Sequence, residues 1–133
     1  MRLQNTIKKE IHLEGKGLHT GRDITLKLKP APRDTGVIFI RTDKGDAEVK
    51  ASVSSVSDTT FATTLSSNGA RVGTVEHLLA ALSGLNVDNV YVELNGPEVP
   101  VMDGSAITFV SLILEAGVAQ QAKTISCSAR VTA

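Results

Sequence analysis

The apolar residues of this chain change their period near residue 75, and that change limits the folds open to it. Before it, Ile24-Thr25-Leu26-Lys27-Leu28-Lys29 alternates apolar and polar positions, as a strand with one buried face does, and Pro30-Ala31-Pro32 ends the run. Val37-Ile38-Phe39-Ile40 follows the turn signal Asp34-Thr35-Gly36 and is apolar enough for a central strand. Lys44-Gly45-Asp46 marks another turn, after which Val49, Ala51 and Val53 alternate with polar residues. Ser66-Ser67-Asn68-Gly69 reads as a hairpin connection between two short β-prone runs. Then Val75, Leu78, Leu79, Leu82 and Leu85 recur at helical spacing, with Thr74 placed as N-cap and Gly84 where a C-terminal cap belongs. The strand pattern returns over Val87 to Leu94, and Asn95-Gly96-Pro97 turns the chain. A second helix is predicted from near Ser105 through Phe109, Val110, Ile113 and Leu114 to Gly117. Strands first, then two helices around a strand, predict an α+β fold: a two-layer sandwich, a mixed β-sheet with both helices packed on one face.

Composition narrows the function classes. A chain of 133 residues suits one domain that buries roughly two-thirds of its unfolded surface. No apolar run approaches the ~18 residues of a membrane span, and Met1-Arg2-Leu3-Gln4-Asn5 lacks a signal-peptide core, so the chain is read as not transmembrane. Cys127 is the single cysteine, which fits a reducing cytoplasm. Zero net charge and only four aromatic rings (Phe39, Phe61, Tyr91, Phe109) argue against a nucleic-acid partner. The charge is nevertheless uneven. Residues 1–50 hold 11 basic and 7 acidic side chains, whereas residues 51–133 hold 3 and 7. A basic first part could attract a phosphorylated small molecule. The plainer reading makes Lys8, Lys9, Lys27 and Lys29 the solvated faces of strands.

Three histidines are present: His12, His19 and His77. His77 follows Glu76 in the first predicted helical turn, where a carboxylate beside an imidazole can bring a general base and a metal ligand to one spot. The same Glu76 also reads as a first-turn acid favoured by the helix dipole, with His77 an ordinary histidine. Gly15-Lys16-Gly17-Leu18-His19-Thr20-Gly21 places three glycines in seven residues and allows backbone to approach a ligand, or simply to bend between strands. Pro97-Glu98-Val99-Pro100-Val101-Met102-Asp103-Gly104-Ser105 is a rigid loop running into a helix, with Asp103 or Ser105 available to cap it.

Four segments occur in one order and at one set of spacings: Gly17-Leu18-His19-Thr20-Gly21, Asp58-Thr59-Thr60, Thr74-Val75-Glu76-His77-Leu78-Leu79-Ala80-Ala81-Leu82, and Pro97 to Ser105. Together, over roughly residues 4 to 120, they closely resemble the N-terminal domain of the UDP-3-O-acyl-N-acetylglucosamine deacetylases, zinc amidases of lipid A synthesis in Gram-negative bacteria. The resemblance implies a hydrolase that removes the N-acetyl group of a UDP-linked, acylated glucosamine. His77 matches a zinc ligand and Glu76 the general base. Asp58, Thr59, Thr60 and Phe61 match the pocket wall, and His19 and Asp103 match positions near the active site. The family's second domain supplies a His and an Asp as further zinc ligands, and another His that acts as acid or charge stabiliser. The expectation is therefore a family domain over residues 1–122, a poorly ordered tail over 123–133 that departs from the family pattern, and no second domain, as in a truncated frame or a fragment. Such a chain carries one of three expected Zn2+ ligands, binds zinc weakly and has very low activity alone. It would be completed by a second-domain chain or by self-association. The alternative is a non-catalytic domain that binds a UDP-sugar or a partner protein.

Overall fold

The structure, a computed structural model, describes residues 2–52, 56–58, 63–100 and 106–124. Its largest sheet is made of β2 (Ile11–Lys16), β3 (Asp23–Pro30), β9 (Val90–Leu94), β4 (Val37–Arg41) and β5 (Ala47–Lys50), in that spatial order. β4 and β9 run parallel; the other neighbours are antiparallel. β6 (Val56–Asp58), β7 (Thr64–Ser67) and β8 (Ala70–Val72) form a second sheet, and β1 (Leu3–Ile7) pairs with β10 (Val118–Thr124) as a two-stranded ribbon. Two helices complete the described residues, α1 (Glu76–Gly84) and α2 (Ile107–Ala116).

Register decides which face of the large sheet is buried. Leu26 lies opposite Leu94, Leu28 opposite Val92, and Val92 opposite Phe39, so one apolar row crosses three strands. Because strand side chains alternate, these residues share a face. All five are fully buried, in one cluster with Leu78 and Leu82 of α1 and Phe109 and Ile113 of α2. The α+β arrangement expected from the period change is thus present, with both helices packed in the core beside a mixed sheet. On the opposite face Lys27 and Lys29 are half-buried, and Lys29 pairs with Glu93 at 3.0 Å. Lys8 and Lys9 differ from the expectation: they are exposed in the bend between β1 and β2 rather than on a strand face. α2 leaves Ile107 and Leu114 exposed, at 69% and 59%.

Several boundaries move for identifiable reasons. β9 starts at Val90 rather than Val87, because Asp88 and Asn89 turn to a buried polar joint. Asp88 accepts from Arg2 Nη1 at 2.7 Å and the Asn5 amide at 2.8 Å. Asn89 Nδ2 donates to Gln4 at 2.8 Å and Gln121 at 2.7 Å, while its Oδ1 accepts from the Gly36 amide at 2.9 Å. These bonds tie the β1–β10 ribbon to the main sheet. The Thr6 hydroxyl joins them, donating to the Asn89 carbonyl at 2.6 Å and accepting from the Ala31 amide at 3.1 Å. Thr6→Val keeps the shape and removes both bonds, so urea denaturation is expected to show a loss of about 1–2 kcal/mol. An unchanged midpoint would show that this joint does not hold the ribbon.

The expected hairpin at Asn68-Gly69 is present, with both residues left-handed at φ 53° and 75°. Gly117, at φ 89°, follows the last helical residue of α2 as expected. α2 itself begins at Ile107, whereas Ser105 and Val53 lie outside the described residues. Gly84 is the last residue of α1, and the left-handed position falls two residues later at Asn86. Lys123 and Thr124, placed in the tail by sequence, belong to β10; residues 125–133 lie outside the described residues.

Candidate functional site

The start of α1 is set by its contacts with the Pro97–Val99 segment. The Gly73 amide donates to the Pro97 carbonyl at 2.8 Å, and the Val99 amide donates to the Gly73 carbonyl at 3.0 Å. Thr74 is left-handed, at φ 57°. Thr74 is not the N-cap: that position is Val75, and no side chain caps it. The Thr74 hydroxyl instead donates to Glu98 Oε1 at 3.2 Å, which removes it from the helix end. Val75 is fully buried, and the next two residues, Glu76 and His77, emerge half-buried in the first turn.

Glu76 is held at one oxygen. Its Oε2 accepts the Thr63 amide at 3.0 Å, while Oε1 takes no hydrogen bond from the described residues. His77 lies beside it on the helix. The described residues do not by themselves fit a catalytic zinc. None of their His, Cys, Asp and Glu side chains form a group of three that could hold a metal, against the three protein ligands such a zinc normally has.

His19 reaches the same neighbourhood through Glu98. Its amide points at both carboxylate oxygens of Glu98, at 3.2 Å each, and the Thr20 amide donates to Oε2 at 2.8 Å. Glu98 is only 3% exposed. Burial pushes its carboxyl up, but the His19 and Thr20 amides and the Thr20 and Thr74 hydroxyls outweigh that and hold it below the ordinary range. The glycines now have a reason. The Gly17 carbonyl accepts the Gly21 amide at 2.9 Å, and a Cβ at Gly17 would sit 2.6 Å from Glu98 Oε2. The close backbone approach expected of this loop is therefore to a carboxylate of the same chain.

A cavity of about 860 Å³ opens beside this junction. His19, Thr20, Thr74, Glu98, Arg41 and Arg71 are among the residues that line it; neither Glu76 nor His77 does. Of the other residues singled out by sequence, Asp58 ends β6, where it pairs with Thr64. Thr59, Thr60, Phe61 and Asp103 lie outside the described residues. Glu98 was not among the candidate site residues, although it ties the glycine loop to the start of α1. The available signal was a carboxylate framed by Pro97 and Pro100 in an otherwise apolar stretch, with a donor-rich glycine loop elsewhere in need of an acceptor.

A family model described as LpxC, UDP-3-O-acyl N-acetylglycosamine deacetylase, matches residues 4–132. A UDP-3-O-acyl-N-acetylglucosamine deacetylase of Thermodesulfovibrio yellowstonii is 52% identical over 126 residues, covering 95% of this chain and 43% of the relative. Deacetylases of the same name from Myxococcus xanthus and Hahella chejuensis are each 53% identical over 119 residues, covering 89% of this chain. Those alignments take in 38% and 39% of the relatives, so the chain spans about two-fifths of the length of the curated proteins it matches. Identity at this level along nearly the whole chain, together with the α+β fold, places the chain in the UDP-3-O-acyl N-acetylglycosamine deacetylase family.

Proposed function

We propose that this chain forms one half of a zinc-dependent deacetylase site that hydrolyses the N-acetyl group of UDP-3-O-acyl-N-acetylglucosamine in the cytoplasm, a step of lipid A biosynthesis. The observation that carries the reading is Glu76, tethered at Oε2 by the Thr63 amide with Oε1 taking no hydrogen bond from the described residues, next to His77 in the same helical turn. Glu76 acts as general base. It takes a proton from the water that adds to the acetamide carbonyl, and it can return that proton to the leaving amine as the C–N bond breaks. The products are acetate and a free glucosamine amine. His77 offers one imidazole to zinc, whose contribution when bound is Lewis-acid polarisation of the carbonyl. Two further ligands must come from outside the described residues, from a second domain in the same or another polypeptide or from another copy of this chain. Exposed Ile107 and Leu114 on α2 give such a partner an apolar contact. His19, Asp58, Thr59, Thr60, Phe61 and Asp103 are proposed as substrate-pocket positions.

One imidazole at the positive end of a helix is a poor cation site. The 133-residue chain alone is expected to bind zinc at about 10⁻⁵ M or weaker, far below the roughly 10–16 kcal/mol of complete structural zinc sites. Isothermal titration would check this, and nanomolar binding would refute the half-site reading. Function is tested by acetate release from UDP-3-O-acyl-N-acetylglucosamine with zinc supplied. The assay compares the chain alone with a chimera joining residues 1–122 to the remaining length of the Thermodesulfovibrio yellowstonii relative. Release by the chimera and none by the chain alone supports the proposal. A folded chimera without activity would favour a non-catalytic domain that binds a UDP-sugar or a partner.

A further inference from the structure

The cavity beside Glu98 carries more positive charge than its own carboxylates neutralise. Four cationic side chains line it, Arg22, Arg41, Lys44 and Arg71, against two carboxylates, Asp43 and Glu98. Both carboxylates are already engaged. Glu98 takes the amides of the glycine loop. Asp43 receives Arg41 Nε and Nη2 at its two oxygens, 2.8 Å each. Lys44 and Arg71 form no ion pair with any described residue, and Arg22 makes none at contact distance, although its charge helps Arg41 hold the Asp43 carboxyl below the ordinary range.

These three cations stand on backbone that is tied down. Arg41, itself 4% exposed, also donates Nη1 to the Arg71 carbonyl at 2.6 Å. One buried guanidinium thus fixes the short turn Thr42–Lys44, which carries Lys44, against β8, which carries Arg71. Arg22 follows the loop that Glu98 holds, and its carbonyl accepts the Gly17 amide at 2.9 Å. Like charges gathered around one concavity repel each other unless an anion joins them, and a cleft with low-dielectric walls concentrates their field. Guanidinium groups match the oxygens of a phosphate in geometry as well as charge. The volume of about 860 Å³ is that of a small-molecule site rather than of a lone carboxylate.

We propose that this cavity is a binding site for a phosphate-bearing anion, a diphosphate group above all, gripped by Arg22, Lys44 and Arg71 on the framework that Arg41 sets. The uneven charge along the sequence is then explained in part, because three of the four cations come from the basic first 50 residues. The site does not depend on zinc or on Glu76, so its failure and the failure of the deacetylase reading are separable.

The test is a ¹H–¹⁵N NMR titration of the full chain with sodium diphosphate at low ionic strength. Saturable shifts are expected at the amides of Arg22, Thr42 to Lys44 and Arg71. The Arg22→Gln/Arg71→Gln variant changes two exposed side chains, so its spectrum elsewhere should be unaltered while its affinity falls about tenfold or more. Uridine diphosphate N-acetylglucosamine serves as a second probe. If it moves the same amides and diphosphate competes with it, the anion is the diphosphate of a nucleotide sugar. If only inorganic diphosphate moves them, the site takes a free anion. Absence of saturable shifts, or equal affinity in the variant, overturns the proposal.

Discussion

Glu76→Gln is expected to lower acetate release by about 10²–10⁴-fold in the chimera that joins residues 1–122 to the remainder of the Thermodesulfovibrio yellowstonii relative. The size follows from what the substitution removes. A glutamine amide can still accept the Thr63 amide through its carbonyl oxygen, so the tether now made at 3.0 Å survives. Its other terminus is an NH2 group, which cannot take a proton from water. Stability should stay within about 0.5 kcal/mol, as it does for substitutions that leave packing and caps intact. Fall of activity without loss of stability separates a proton acceptor from a structural first-turn acid. Glu76→Asp adds a control: the shorter side chain keeps the base but draws it back, and should retain more activity than Gln. If Glu76→Gln is as active as the parent, the base lies elsewhere and the proposed role of this turn is wrong.

What could be read from the sequence was what local pattern encodes. The Leu78, Leu79, Leu82 stripe marked α1 because a 3.6-residue period has few alternatives, and Ile24 to Lys29 marked β3 by its period of two. Asn68-Gly69 and Gly117 were legible because each meets a conformation that few residues accept. Long-range polar contacts left no such trace. Thr74 has the look of an N-cap, yet Glu98, 24 residues later, takes its hydroxyl. Strand β10, Val-Ala-Gln-Gln-Ala-Lys-Thr, lacks alternation, and it exists through pairing with β1 more than a hundred residues away. Buried Gln4 and Asn89 look like surface residues in sequence; only the folded joint makes them interior. The family was legible by another route, as four motifs in register rather than as chemistry. Glu76 and His77 by themselves are two neighbouring polar residues, and although Glu98 stood out as a carboxylate between two prolines, its donors, on the glycine loop and at Thr74, are fixed only by the fold.

That acceptor makes the second large prediction. Glu98→Ala is expected to cost about 3 kcal/mol in urea denaturation, because bonds to an ionised acceptor contribute about 1.5–3 kcal/mol each and solvent can rescue part of the loss. The Thr74 hydroxyl is buried and cannot recover its partner from water, whereas His19 and Thr20 are exposed and in part can. The wild-type chain should also show an acid dependence that traces to this group. Its carboxyl is held below the usual range in the folded state, so the unfolded chain, with a glutamate near 4.3, binds the proton more readily. The stabilisation is therefore complete above about pH 5 and is lost as pH falls through the folded value. Glu98→Gln, which cannot ionise, should be weaker at neutral pH and should lack that part of the acid loss, so the two denaturation curves approach each other towards low pH. The same variant should free the amides of His19 and Thr20 to exchange with solvent faster, because the loop they belong to is held by this carboxylate and packs Gly17 directly against it. Parallel curves for the two proteins from neutral to acid pH would mean that the Glu98 carboxyl has the same pKa folded and unfolded, so that its bonds to the loop do not favour the ionised form. The link from the glycine loop to the start of α1 would then have to rest on the Gly73–Pro97 and Val99–Gly73 backbone bonds alone.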